Sequence, residues 1–342
     1  MAGDIHLAIN KVVLKKISII GDGAWGTTLA VHLARKKYPV TLWGAFPEYL
    51  GQIAKSYENK KFLPGIKIPS QVKFTSDINE AIGFGDLIVL SSPSEYLIDT
   101  LTKIQKTSYK GKVFVSVVKG IHPSSFKRMS EIIHGHLPGV PLVVLSGPTI
   151  AIEVAKGIPT TAVAACSNKS LAESVQKIFN SNTFRIYTNT DVIGVEVAGS
   201  VKNVIALACG ICDGLKLGTN TKAAILTRGL AEITRLGTAL GGRRETFYGL
   251  AGLGDLATTC FSPNSRNRTV GEALGRGKKI KGILRSMNAV AEGVITAQAV
   301  YHLAKKKKIP MPIVTEVYKI IFEDKPAGLA MKDLMGRSLK SE

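Results

Sequence analysis

Lys16-Ile17-Ser18-Ile19-Ile20 runs straight into Gly21-Asp22-Gly23-Ala24-Trp25-Gly26, and the helical stretch 27–37 follows at once. A β-branched run, glycines in G-x-G-x-x-G spacing and a helix start are the opening of a βαβ unit built around a phosphate. Gly21 suits a tight turn, Gly23 lets backbone approach a pyrophosphate, and Gly26 lets the helix settle on the strand. The helix start then offers N–H groups to the anion. A purely structural glycine turn is the competing reading, and the flanking strand and helix weigh against it.

Working outward, the same alternation continues. Short apolar runs at Pro39–Trp43, Val72–Thr75, Asp86–Ser92, Lys112–Val118, Pro141–Ser146, Thr160–Ala165 and Phe184–Tyr187 are separated by helical stretches. Parallel strands joined by crossover helices predict an α/β fold, a doubly wound Rossmann-type sheet with ligands at the carboxyl ends of its strands. After Asp191 the strand signals stop. Helices are expected at Asp191–Ile211, Asn220–Ala239, Arg268–Leu274, Ala291–Lys305 and Pro312–Glu323. The chain thus reads as an N-terminal extension over 1–15, a dinucleotide-binding domain over 16–190 and an all-helical C-terminal domain over 191–342, with the active site expected in a cleft between the two domains.

The bulk properties agree with such a protein. A chain of 342 residues with 45% hydrophobic and 20% charged residues is an ordered globular protein of about two domains. Its net charge of +20 suits a phosphate-bearing partner or an anionic surface and does not choose between them. Nucleic acid is disfavoured, because zinc-finger spacing, an aromatic RNA-binding signature and a basic region with heptads are all missing. The run Lys305–Lys308 reads as a solvated helix end. Cys166, Cys209, Cys212 and Cys260 sit among small and apolar residues, as buried thiols of a reducing compartment do. The apolar stretch 191–211 carries Glu196, Lys202 and Asn203, which a bilayer would penalise, and the N-terminus lacks a secretory pattern. A cytoplasmic protein without stable membrane insertion is expected.

Several residues carry possible chemistry. The ribose discriminator belongs after the second strand, where Trp43-Gly44-Ala45-Phe46-Pro47-Glu48 offers neither a suitable acid nor a cation, so NAD and NADP both stay open. Glu48 reads as a first-turn helix residue. Lys119 closes the run Lys112–Val118, and Ser146-Gly147-Pro148-Thr149 closes another, so both are expected at the ligand edge of the sheet. Lys202 lies inside an otherwise apolar helix, where desolvation lowers a lysine's pKa and lets it exchange a proton with an alkoxide. A lysine that snorkels to water is the alternative. Asn203 follows it, with Ser200 on the same helix face. Asp255, crowded by glycines in Ala251–Asp255, is read as orienting Lys202 or accepting a substrate hydroxyl, as capping the next helix, or both. Ser265-Arg266-Asn267-Arg268-Thr269 gathers hydroxyl, guanidinium and amide donors suited to an oxyanion. His134 and His136 read as a polar loop, and metal and acyl-enzyme motifs are missing.

Together these residues resemble a known family. Gly21–Ala30, the strand end Val118–Gly120, Ser146–Thr149, Glu196–Leu215, Arg228–Gly237, Gly249–Cys260, Ser265–Gly277 and Ala291–Ala297 are similar, in the same order, to the soluble NAD(P)-dependent glycerol-3-phosphate dehydrogenases. The resemblance spans about Ile17 to Met335. It implies reversible hydride transfer between NAD(P)H and C2 of dihydroxyacetone phosphate, giving sn-glycerol 3-phosphate for phospholipid synthesis. It implies Lys202 as proton donor and acceptor, Asp255 and Lys119 as its companions on the substrate, and Gly147 and Thr149 as substrate lining. Ser265, Arg266 and Asn267 would grip the phosphate. Cofactor contacts would come from Ala24, Trp25, Ala151, Val290 and Glu292, with Lys119 and Arg266 shared. A homodimer is implied as well. Ala45 stands where many bacterial relatives carry a basic residue, which weakens any inherited preference for NADP. A related hydroxyacid reductase and a silent dinucleotide-binding redox sensor are the alternatives, and the joint presence of Lys119, Lys202 and Asp255 speaks against the sensor.

Overall fold

A computed structural model describes residues 14–287, 291–339 and 341. The chain divides into two compact units, the first holding residues up to Val118 and Met129–Val192, the second Lys119–Arg128 and everything from Ile193. Lys119–Arg128, within the stretch 16–190 expected as the dinucleotide-binding domain, groups with the helices.

In the first unit β1 (Ile17–Ile20), α1 (Ala24–Arg35), β2 (Val40–Trp43), α2 (Pro47–Ser56), β3 (Lys73–Thr75), α3 (Ile78–Phe84), β4 (Leu87–Leu90), α4 (Leu97–Ile104), β5 (Val113–Ser116), α5 (Met129–His136), β6 (Leu142–Ser146), α6 (Ala151–Ala155), β7 (Thr160–Ala165), α7 (Lys169–Phe179) and β8 (Phe184–Asn189) alternate. The strands form one sheet in the order β3-β2-β1-β4-β5-β6-β7-β8. Side chains alternate between its faces. Ile17, Ile19, Leu42, Val89 and Val115 meet α1 and α7 on one side, and Ile20, Ile88, Leu90 and Phe114 meet α3, α4 and α5 on the other. Ser18 is tolerated in this interior because its hydroxyl donates to the Ala81 carbonyl at 2.6 Å.

The reading of an all-parallel sheet needs one correction. β7 runs antiparallel to β6 and parallel to β8. The five-residue α6 between β6 and β7 advances only about 7 Å at ~1.5 Å per residue, too little to return the chain to the start of β6. His134 and His136 also differ from expectation, lying in α5 and not in a loop.

The second unit contains α8 (Val192–Gly214), α9 (Gly218–Ala239), α10 (Arg244–Tyr248), α11 (Asp255–Phe261), α12 (Arg266–Gly275), α13 (Ile280–Arg285), α14 (Glu292–Lys306), α15 (Pro312–Phe322) and α16 (Ala327–Met335). Among the described residues α8 is the one helix long and apolar enough to cross a membrane, and 89% of its apolar window is buried inside the protein. It packs closely on α12 through glycines: a Cβ on Gly210 would collide with the Arg268 carbonyl, and one on Gly271 with that of Leu207. Lys305–Lys308 is exposed at the end of α14, as expected. All four cysteines are buried and free.

Candidate active site

The glycine turn of the first unit is shaped by backbone. Gly21 has φ +124°, and a Cβ there would lie 2.8 Å from the Ser92 nitrogen. A Cβ on Gly26 would collide with the Gly21 carbonyl, so only glycine lets α1 begin against β1. Gly23 is different, because its Cβ would meet nothing within 4 Å. Protein packing leaves room for a ligand there, and no side chain caps the start of α1 above it. Trp25 anchors the turn edge-on against Phe184, with ring centroids 6.3 Å apart.

Three buried side-chain oxygens have no hydrogen-bond partner among the described residues: Asp22 Oδ2, Ser92 Oγ and Ser146 Oγ. Asp22 follows β1, Ser92 follows β4 and Ser146 ends β6, so all three stand at carboxyl ends of parallel strands. A buried polar atom without a partner costs ~1–3 kcal/mol, and ligand hydroxyls or amides would relieve that cost. A dinucleotide, rich in both, fits this edge. Gly147, Thr149 and Ala151 also hold structure here. Gly147 has φ +145°, the Thr149 hydroxyl donates to the Gly147 carbonyl at 3.2 Å, and the Ala151 carbonyl accepts from the Thr28 hydroxyl at 3.1 Å.

The second unit gathers a different chemistry. Lys202, on the buried face of α8, donates through Nζ to Asp255 Oδ1 at 2.5 Å and to Thr259 Oγ1 at 2.5 Å. Lys119 Nζ donates to the other carboxylate oxygen of Asp255 at 2.6 Å. Thr259 in turn donates its hydroxyl to the Asp255 carbonyl at 2.7 Å. Two ammonium groups thus share one carboxylate, itself 2% exposed. Burial pulls Lys202 down from 10.5 to about 8, Asp255 opposes that fall and the Lys119 charge reinforces it. A lysine so placed holds or releases a proton near neutrality.

Asp255 is the first residue of α11 and not its N-cap; Gly254 holds the cap position. The glycine-rich stretch before it is a π-helical turn, Leu250–Gly254. A Cβ on Gly252 would collide with the Phe247 backbone, which explains the glycine. Lys119 is held by its own segment: the Gly120 N–H donates to Ser200 Oγ at 2.9 Å, and Arg128 Nη1 pairs with buried Glu196 at 2.5 Å. Ile121 joins the helical core between those anchors.

The donor segment after α11 is partly committed to structure. Ser265 caps α12 by accepting the Arg268 N–H at 3.3 Å. Arg268, read from sequence as an anion donor, instead pairs with Asp213 at 2.6 Å, which also holds Lys222 at 2.8 Å. Asn267 Oδ1 accepts the Gly293 N–H at 3.0 Å, bringing the start of α14 and Glu292 to α12. The same Gly293 packs so closely on the Asn203 carbonyl that a Cβ would lie 2.7 Å from it. Arg266 points outward and is exposed. Val290 lies outside the described residues. Sequence reasoning missed Thr259, although its i+4 spacing from Asp255 on a helix was a usable signal. It also missed Arg128 with Glu196 and Asp213 with Lys222, for which no local pattern existed.

Comparison with known proteins places the chain in a family. A family model described as the NAD-dependent glycerol-3-phosphate dehydrogenase N-terminus matches residues 16–172, and one described as the C-terminus matches 191–332. The chain is 48% identical over 329 residues to a protein of Chlorobium limicola named glycerol-3-phosphate dehydrogenase (NAD(P)+), covering 95% of this chain and 99% of that relative. A protein of the same name from Geobacter sulfurreducens is 47% identical over 333 residues, 96% of this chain and 99% of that one. The solved glycerol-3-phosphate dehydrogenase of Coxiella burnetii superposes with a TM-score of 0.92 at 37% identity, covering 95% of this chain and 99% of that one. A ketopantoate reductase of Ralstonia eutropha, at 14% identity and a TM-score of 0.58 over 94% of this chain and 99% of that one, shares the fold alone. On these matches and the residues that they cover, the chain belongs to the NAD-dependent glycerol-3-phosphate dehydrogenase family.

Proposed function

We propose that this protein interconverts dihydroxyacetone phosphate and sn-glycerol 3-phosphate with NAD(P)H or NAD(P)+, and that Lys202 moves the proton. The observation that carries this reading is the buried Lys119–Asp255–Lys202 group. Bound NAD(P)H supplies the hydride that reduces the C2 ketone. Charge then gathers on the ketone oxygen, and Lys202 donates its proton there, leaving a hydroxyl and a neutral amine. Asp255 keeps both ammonium groups aimed and charged before the transfer. Thr259 accepts a hydrogen bond from the lysine, which fixes the direction of Nζ. Lys119 faces the same oxygen in this reading. In the oxidative direction the neutral Lys202 amine takes the hydroxyl proton.

Ser265, Arg266 and Asn267 receive the phosphate in this reading, with Gly147 and Thr149 lining the substrate. Exposed Arg266 supplies the guanidinium fork, while Asn267 has one oxygen committed to Gly293 and keeps its amide N–H groups for the ligand. The +20 charge draws in a phosphate ester. Gly21, Gly23, Ala24, Trp25, Gly26, Ala151 and Glu292 hold the nucleotide in this reading. Four free cysteines support a cytoplasmic location. The protein works as a homodimer, so light scattering should give twice the 36.6 kDa chain mass; a monomer would overturn that part.

The decisive experiment follows NADH and NADPH oxidation by purified protein on addition of dihydroxyacetone phosphate. Turnover that depends on the triose phosphate is expected with at least one nucleotide. No turnover with either overturns the reading.

A further inference from the structure

The residues after β2 contain no acid placed to receive a ribose, yet the structure places a carboxylate in that space from another direction. Ile20 and Trp43 are paired in register at the ends of β1 and β2, so Asp22 and Gly44 leave the sheet side by side. A Cβ on Gly44 would lie 2.5 Å from Asp22 Oδ2 and 2.9 Å from its Cγ. The Asp22 carboxylate therefore occupies the volume that a side chain directly after β2 would fill. Oδ2 is buried and lacks a partner among the described residues. The peptide behind it is fixed, because the Asp22 carbonyl accepts from Asn59 Nδ2 at 2.7 Å and from Thr27 Oγ1 at 3.2 Å.

We propose that Asp22 selects the cofactor: Oδ2 accepts the 2′-hydroxyl of the adenosine ribose and repels a 2′-phosphate, which makes this dehydrogenase prefer NAD to NADP. The inference rests on the nucleotide-binding reading given above and names the chemistry of its adenosine end. An acid near the end of β2 is the general device by which this fold distinguishes the two nucleotides. Here the acid comes from inside the glycine turn, and glycine at position 44 makes room for it. Ala45 and Phe46, next along the chain, are exposed and bring no cation. The nearby cation is Lys61, itself exposed, whose ammonium lies 5.1 Å from the centre of the Phe62 ring and 5.8 Å from that of Tyr49. Burial raises the Asp22 pKa and Lys61 only partly offsets this. A hydroxyl donor would restore the hydrogen bond that burial removes.

Calorimetric titration of the full chain with NADH and with NADPH, without substrate, tests the assignment. The wild type should bind NADH at least about tenfold more tightly, and Asp22→Asn and Asp22→Ala should shrink that ratio at least about tenfold, with NADPH gaining affinity. Melting temperatures of the two variants report on their folding, and the wild-type ratio stands even if one variant is unstable. Wild-type protein that binds NADPH as well as NADH overturns the proposal, as does an unchanged ratio in both folded variants. Failure of both nucleotides to bind would overturn the nucleotide reading itself, and this inference with it.

Discussion

The glycine turn after β1 and the Lys119–Asp255–Lys202 group are both polar and both buried, but they satisfy their polar atoms in different ways. Around the turn the positions are set by backbone, and Asp22 Oδ2, Ser92 Oγ and Ser146 Oγ are left without partners among the described residues. In the lysine group every charged atom has a protein partner at 2.5 or 2.6 Å. A surface that must hold a ligand keeps hydrogen-bonding capacity unspent, whereas a group that must keep a proton ready is already aimed by protein partners before any ligand arrives. Substitutions in the two regions should therefore fail in different ways.

Lys202→Ala should show the largest effect, lowering kcat by ~10²–10⁴-fold while nucleotide affinity, measured by titration, stays within about threefold. A variant that loses nucleotide affinity instead would break the division between the regions. Asp255→Asn should cost ~3–5 kcal/mol in denaturant unfolding, because the buried Lys202 ammonium and the half-buried Lys119 ammonium lose their shared carboxylate. Equal stability would mean that the lysines do not depend on Asp255.

The pH dependence sharpens the same contrast. With Lys202 near 8, the rate of ketone reduction should fall about tenfold per pH unit above that value, and alcohol oxidation should rise through it. The sign for stability follows from the same displacement. The folded chain sheds this proton at about 8 and the unfolded chain near 10.5, so the chain gains stability as pH rises through that window. Lys202→Met should abolish both trends, and a profile unchanged in that variant would assign them to another group.

Ser200→Ala should lower kcat/KM about fivefold to tenfold, the value of ~1 kcal/mol for the hydrogen bond to Gly120 that holds the Lys119 segment. Ser200→Thr, which keeps the acceptor, should restore most of the rate. The smallest effect is expected at Ser146. Removing its unpartnered hydroxyl with Ser146→Ala should leave the ligand-free protein unchanged or up to ~1 kcal/mol more stable in thermal melts, with weaker nucleotide binding. A marked loss of stability would show that the hydroxyl has a protein partner after all.

Much of this was legible because local pattern and tertiary role coincide. The eight strand runs each appear where apolar residues cluster between helical stretches, and Lys202 betrayed itself as a cation in an apolar helix. The reversal of β7 was not legible in its own residues, since Thr160–Ala165 reads the same in either direction; only the shortness of α6 decides it. Arg268 looked like an anion donor because its neighbours did, and its partner Asp213 lies 55 positions away. Lys119 stands at a strand end in the sequence, yet it groups with the helical unit. Its grouping depends on Ser200, Glu196 and Asp255, which sequence order could not bring to it.

The excursion Lys119–Arg128 has a consequence for how the molecule can be divided. The polypeptide passes from one unit to the other after Val118, after Arg128 and after Val192, so no single cut yields two whole pieces. A recombinant fragment starting at Ile193 would bury the Glu196 carboxylate without its guanidinium and would lack one of the two cations on Asp255. Protease nicking near residue 120 would cut the chain beside Lys119, at the edge of a segment that belongs to the helical unit and carries Ile121 into its core.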